Sequence, residues 1–220
     1  MTFFRCGGSE EKILSFTLSA ANGTQGTFRN GRYFGPIVSK NQSYVPVQKD
    51  GSSIVYTLGA TRVIHIRFRI NSGTGYRVIS GVRYGATYWP SMGYTVLQDQ
   101  SNETFFQASF SSNGTSVAKT LTIPKTDIPF VSGDLTHWYD VEFGWDKDTK
   151  EIYLEISDTN GHHKKVTDTL DTIFQYSTDY EYVIGTMNSD DRYASGITFD
   201  LWNTWYEENH SRIVWGIKGG

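Results

Sequence analysis

Carboxylates paired on one strand face are the first chemistry to look for, because retaining glycoside hydrolysis needs two of them about 5–5.5 Å apart. Residues four apart on a strand share a face, and Glu151 and Glu155 have that spacing, with Asp158 three residues further on. Tyr153 stands between them, and Asp158 falls at the turn marked by Asn160-Gly161. The pair therefore reads as the solvent-facing side of a hairpin. No serine occupies a Gly-x-Ser-x-Gly elbow. Cys6 is the single cysteine, has no histidine near it in sequence, and forms no internal disulfide. His162 and His163 are adjacent, so on a strand they face opposite ways and make a poor metal pair. Asp146 and Asp148 alternate in a turn without the further ligands of an EF-type loop. No catalytic and no metal-binding residue is assigned.

Aromatic residues offer a different chemistry. Tyr84, Tyr88, Trp89 and Tyr94 crowd a segment that also holds Gly85, Pro90 and Gly93. Exposed rings stack on the apolar faces of sugars and anchor protein partners. Glycine and proline are expected to keep residues 84–94 out of a regular strand, as a binding loop. The polar segment 188–193 supplies Asp191 and Tyr193 as neighbours, and Trp205 is the exposed choice among Trp202, Trp205 and Tyr206. The competing expectation is that these rings pack beneath a long loop.

The elements that must carry these residues are strands. The chain has 220 residues, 15% of them aromatic, and 22 glycines, which suits many strands joined by tight turns. One domain over 1–220 is expected, with residues 1–12 as an arm or edge strand. Arg62 to Ile70 alternates strictly, with Ile64, Ile66, Phe68 and Ile70 against Val63, His65, Arg67 and Arg69. Period two with one apolar face is a half-buried antiparallel strand, and His65 on its polar face reads as a solvated histidine. Turn signals recur at short intervals to residue 190, as in a sandwich or barrel. Residues 169–178 are the one candidate for a short helix.

Charge and hydropathy exclude other classes. The net charge is −3, and His162-His163-Lys164-Lys165 is the nearest approach to a basic run. That is too short for a nucleic-acid footprint. No stretch approaches the ~20 apolar residues of a membrane span. The N-terminus lacks the apolar run of a signal peptide, so the sequons at Asn22, Asn41, Asn102, Asn113 and Asn209 read as ordinary polar loops.

Trp138 opens a strand in which Tyr139, Val141, Phe143 and Trp145 share a face; Asp146-Lys147-Asp148-Thr149-Lys150 turns the chain, and Ile152, Leu154 and Ile156 return it. This hairpin resembles the core of concanavalin A-like lectin/glucanase and laminin G-like domains. Tyr182-Val183-Ile184-Gly185 and Gly196-Ile197-Thr198-Phe199 resemble the strands that follow it in that family. The resemblance implies an all-β, two-sheet antiparallel jelly-roll sandwich. Its glucanase members carry a Glu-x-Asp-x-x-Glu strand, which this chain lacks. A calcium ion at the sheet rim stays open by resemblance alone, with Asp146, Asp148, Asp190 and Asp191 as the acids on offer. The Phe4-Arg5-Cys6-Gly7-Gly8 opening and the Tyr/Ser/Asn/Gly loops also resemble small bacteriophage structural proteins. The function expected from these likenesses is a non-catalytic module of a phage tail or virion that recognises a host-surface glycan. The alternatives are a purely structural virion protein and a glycoside hydrolase or lyase with an unrecognised site. Expected partners are a glycan, other virion subunits or further copies of the chain, with no cofactor.

Overall fold

A computed structural model describes side chains at 61, 63–71, 79, 106–110, 112, 117–172, 197–200, 203–205 and 207, and the backbone of the remaining strands. In chain order the strands are β1 (Lys12–Ser15), β2 (Ser19–Ala21), β3 (Thr27–Arg29), β4 (Arg32–Phe34), β5 (Gln42–Pro46), β6 (Gln48–Lys49) and β7 (Ser52–Ser53). Then come β8 (Arg62–Ile70), β9 (Arg77–Val78), β10 (Ser80–Tyr84), β11 (Thr87–Trp89), β12 (Tyr94–Gln100), β13 (Glu103–Phe110) and β14 (Lys119–Pro124). The rest are β15 (Tyr139–Trp145), β16 (Glu151–Asp158), β17 (His163–Thr169), β18 (Tyr180–Thr186), β19 (Ile197–Glu208) and β20 (Ser211–Trp215). No helix occurs among the described residues. In the proposed helix, Thr169 closes β17, Leu170 to Thr172 are irregular, and 173–178 lie outside the described residues.

The main sheet runs β17-β16-β15-β8-β19-β20-β1-β6-β7, with β4 on β19 and β3 on β4. Where one second sheet was expected there are two, β14-β13-β12-β9 and β11-β10-β18-β5-β2, and they meet where β10 lies beside β12. The described pairings are antiparallel except that β1 runs parallel to β20. Residues 1–11 of the expected arm lie outside the described residues, and Lys12 already belongs to β1.

The alternation in β8 does what period two demands. Ile64, Ile66, Phe68 and Ile70 are buried, and Val63, His65, Arg67 and Arg69 are half-buried on the other side. β15 and β16 repeat the pattern with Tyr139, Val141 and Phe143, then Ile152, Leu154 and Ile156. Phe106 of β13 meets Phe68 at 6.4 Å and Tyr139 at 5.2 Å between ring centroids, which joins the two layers. Each buried large apolar side chain contributes about 1.5–3 kcal/mol. The Tyr139 hydroxyl is satisfied inside this core: it donates to the Pro129 carbonyl at 2.9 Å and accepts from the Val131 amide at 2.7 Å. Burial, chiefly, pushes its pKa up to about 12.

The hairpin turn after β15 is organised by one carboxylate. Asp146 Oδ1 accepts from the Asp148 and Thr149 amides at 2.9 and 2.7 Å and from the Thr149 hydroxyl at 3.0 Å. Lys150 then takes φ 61°, which lets the chain reverse. At the sheet margin β17 exposes His163, Lys164 and Lys165, charges that discourage pairing with another chain. Lys119 of β14 reaches Asp168 at 2.8 Å, and Lys164 reaches Asp127 at 3.0 Å, tying the two layers at that rim.

Candidate functional site

The side of the main sheet that faces away from the core carries the densest polar and aromatic cluster among the described residues. Its logic is strand register. Lys165, Glu155, Glu142, His65 and Trp205 stand in one line across β17, β16, β15, β8 and β19. The next line holds Ser157, Asp140, Arg67 and Asp200. Cross-strand neighbours have Cβ atoms about 4.5–5.5 Å apart, so these residues must interact.

His65 is the centre. Its Nε2 lies 3.3 Å from Asp140 Oδ1, and its Nδ1 lies 3.6 Å from Glu142 Oε2. Its ring stacks on Trp205, with centroids 5.0 Å apart and planes 2° from parallel. Arg67 Nη1 donates to Asp140 Oδ2 at 3.2 Å, and the Tyr153 hydroxyl donates to Glu142 Oε1 at 2.8 Å. Lys165 Nζ lies 4.4 Å from the Tyr153 ring, and Glu155 takes His163 at 2.8 Å. Burial works against a charged His65 ring, but the hydrogen bonds and charges of Asp140 and Glu142 outweigh it and raise its pKa above 6.5. Burial likewise opposes ionisation of Glu142, yet its hydrogen bonds from His65 and Tyr153 leave its pKa lowered. The Tyr153 phenol is raised by burial first and by Glu142 second, so it stays a donor.

A long irregularity in β19 brings Trp205 into this line. Asp200 pairs with Arg67 and Trp205 pairs with His65, so residues 201–204 lie opposite Ile66 alone. Thr204 Oγ1 donates to the Asp200 carbonyl at 2.9 Å and accepts from the Arg67 amide at 3.3 Å. Asn203 Nδ2 donates to Asp200 Oδ2 at 3.0 Å. The two Thr204 bonds satisfy backbone groups that a regular ladder would have paired.

Trp138 borders the same face. Arg69 lies 4.9 Å and Arg67 5.6 Å from its ring centroid. It is 8% exposed, as a strand-opening core residue would be, but the two guanidinium groups bury it on the outer side, not the sandwich interior. Arg69 is held in turn, with Nε donating to Asn71 Oδ1 at 3.1 Å and Nη1 to the Leu135 carbonyl.

Of the described residues singled out from sequence, Trp205 reaches this cluster and Glu155 stands in its line. The irregular loop expected over 84–94 is corrected in part. Tyr84 ends β10, Tyr88 and Trp89 lie in β11, and Tyr84 pairs with Thr87 in a tight hairpin of the five-stranded sheet. Backbone alternation accommodates three residues there despite the flanking Gly85 and Pro90. Tyr94 opens β12 in the four-stranded sheet. The pairing thus spreads these residues over two sheets other than that of Trp205; their side chains, with the whole of Asp191 and Tyr193, lie outside the described residues. Glu151 and Glu155 do share the outer face, and Glu155 is held by His163 and Lys165. Asp146 is occupied in its turn and Asp148 pairs with Lys147 at 2.6 Å. Among the described residues no three metal-ligating side chains gather.

The solvated histidine expected at position 65 is instead half-buried between two carboxylates and an indole. Its neighbours come from strands 75 and 140 residues away in sequence. The signal for the face was the alternation itself, which set His65, Arg67 and Arg69 on one side; register alone adds Asp140, Glu142 and Trp205. Chemically, each oxygen of Asp140 and Glu142 uses one lone pair within the cluster and keeps one for a ligand hydroxyl.

No family model and no curated protein matches the sequence. The fold does have counterparts among solved structures. Lectin II from Ulex europaeus superposes with a TM-score of 0.52 at 12% identity, covering 91% of this chain and 94% of the lectin. Alginate lyase from Alteromonas sp.272 gives 0.51 at 10% identity, over 88% of this chain and 93% of the lyase. The enzymatically active domain of bacteriophage CBA120 tailspike protein 2 gives 0.53 at 12% identity, over 90% of this chain and 29% of that one. The chain has the concanavalin A-like jelly-roll fold.

Proposed function

We propose that this protein is a non-catalytic glycan-binding module whose ligand lies across the outer face of the main sheet. One observation carries the proposal: Trp205, His65, Asp140, Glu142 and Arg67 are assembled side by side on an otherwise regular sheet, each held by its neighbours. Aromatic edges and faces pack on pyranose C–H groups, and fixed carboxylates accept hydroxyls. The lectins that share the fold support a carbohydrate ligand. Among the described residues of this face, Asp140, Glu142, Glu151, Glu155, Asp200 and Glu207 outnumber Arg67, Arg69 and Lys165. A neutral glycan is therefore favoured over a polyuronate. The tailspike likeness supports a place on a phage particle, with a host-surface glycan as ligand and other virion subunits as neighbours. The aromatic segment Tyr84, Tyr88, Trp89 and Tyr94, with Asp191 and Tyr193, belongs to the same proposal as a second contact region.

The test is binding to an immobilised panel of neutral and anionic oligosaccharides, with Trp205→Ala beside the wild type. Loss of binding by about tenfold or more in a variant that melts normally is expected, as for an anchor. A panel without a single binder would overturn the proposal in favour of a purely structural virion role. An enzymatic reading is favoured by one feature, the placing of Glu142 between a phenol donor and an imidazole. Release of reducing or unsaturated sugars by the wild type, abolished in Glu142→Gln, would establish it.

A further inference from the structure

A neutral imidazole has one N–H; an imidazolium has two. His65 directs both ring nitrogens at carboxylates, Nε2 at Asp140 Oδ1 and Nδ1 at Glu142 Oε2, so the neutral ring can satisfy only one of them. The stack on Trp205 points the same way, since an indole face attracts a cation. We infer that His65, as the imidazolium, is the positioning residue of the outer-face site, fixing Asp140, Glu142 and Trp205 in the arrangement that meets a ligand. This deepens the glycan-binding proposal and rests on it for the identity of the ligand, but not for the state of the cluster.

The groups around the ring are consistent with a resident cation. On β15 it meets Asp140 and Glu142, on its own strand Arg67, on β19 Trp205 and Glu207, and on β16 and β17 the more distant Tyr153, Glu155 and Lys165. Arg67 neutralises one carboxylate and Lys165 is drawn to Glu155 at 3.8 Å. Glu142 is left with Tyr153 as a neutral donor and His65 as its charged partner. When His65 loses its proton, Nε2–H stays on Asp140 at the shorter distance, and a lone pair on Nδ1 faces Glu142. Glu142 is then released from one side, and the indole loses its charged neighbour. A ligand would have to order both again. Immobilising both side chains again has an entropic cost, so affinity should fall about fivefold or more on deprotonation.

The direction follows from the raised pKa of His65. Positioning is complete below the ordinary histidine value of about 6.5 and is lost as pH rises through the raised value. The experiment has two arms. In the first, imidazole NMR resonances of His65 are titrated in the wild type, in Asp140→Asn and in Glu142→Gln. A pKa above 6.5 that drops in both variants is expected; one at or below 6.5 in the wild type would overturn the inference, whatever the ligand. In the second, cellohexaose, xylohexaose and chitohexaose are tested for binding between about pH 5.5 and 8.5, where histidine is the side chain that titrates. Affinity should decline with pH in the wild type, stay weak throughout in His65→Gln, and become independent of pH in His65→Arg, which carries a permanent stackable cation. A pH-independent wild type, or His65→Gln matching it at low pH, would reduce His65 to a merely structural role and sink the inference. If no hexasaccharide binds, the first arm still decides it: a raised pKa upholds the positioned cluster while the glycan proposal fails.

Discussion

Replacing Trp138 by alanine removes a large ring that is 8% exposed although it stands on the solvent side of the sheet. Its burial comes from Arg69 and Arg67, at 4.9 and 5.6 Å, and its backbone amide takes the Thr159 hydroxyl at 3.1 Å. Deleting a buried tryptophan costs about 3–5 kcal/mol when the cavity persists. Here the two arginine side chains can fold into the gap and water can follow, so the cost belongs at the lower end. Each cation–π contact contributes about 0.5–1 kcal/mol of that total at a partly exposed site. A loss of about 3 kcal/mol is expected, and for a domain of this size it corresponds to a fall in Tm of roughly 6–12 °C. Urea unfolding followed by far-ultraviolet circular dichroism measures it, with the slope m unchanged. Trp145→Ala is the internal comparison, since Trp145 is 6% exposed but on the core face, where collapse is harder; it should cost more, toward about 5 kcal/mol. A loss below about 1 kcal/mol for Trp138→Ala would show that the arginines cover the ring without being organised by it.

Tyr139→Phe leaves the Val131 amide and the Pro129 carbonyl without their partner in the core, so a loss of about 2–3 kcal/mol is expected by urea unfolding. Asp158 has a fully buried carboxylate that takes the His162 and Asn160 amides, each at 3.0 Å, and His162 Nδ1 at 2.9 Å. Burial opposes its ionisation, but these bonds leave its pKa lowered; its stabilisation is present above about pH 4 and lost as pH falls through the lowered value. In Asp158→Asn the acid limb of stability against pH should flatten between about pH 4 and 2. Lys119→Ala breaks a surface ion pair with Asp168 and should cost less than about 1 kcal/mol, with little further effect of added salt.

The layers of the fold were legible in sequence wherever one face of a strand is apolar. β8 and the β15–β16 hairpin show this, since Ile64 to Ile70 and Tyr139 to Trp145 alternate without a break and a single turn joins β15 to β16. The division of the second layer was not legible, because which strands hydrogen-bond depends on pairings between segments remote in sequence. The outer-face cluster was half legible. Alternation placed His65 and Arg67 on a common side, but nothing local tells that Glu142 stands opposite His65, or that Trp205 does. Glu151 and Glu155 drew attention because their spacing lies within one strand, the only kind of spacing that a sequence displays directly. The aromatic segment 84–94 departs in part from an irregular loop because three residues between Gly85 and Pro90 suffice for β11, and glycine and proline at its flanks do not exclude so short a strand.

The irregularity in β19 has an arithmetic of its own. Four residues, 201–204, face one, Ile66, a surplus of three. Because side chains alternate with period two, an odd surplus inverts the phase of everything downstream. An uninterrupted strand from Phe199, which is buried, would put position 205 on the buried side as well; the surplus turns Trp205 outward. Losing three residues from 201–204 would leave a regular ladder with the indole still opposite His65 and outward, whereas losing two would leave a one-residue bulge that does the same. The indole therefore faces outward for as long as it stays opposite His65, whatever the length of the stretch before it.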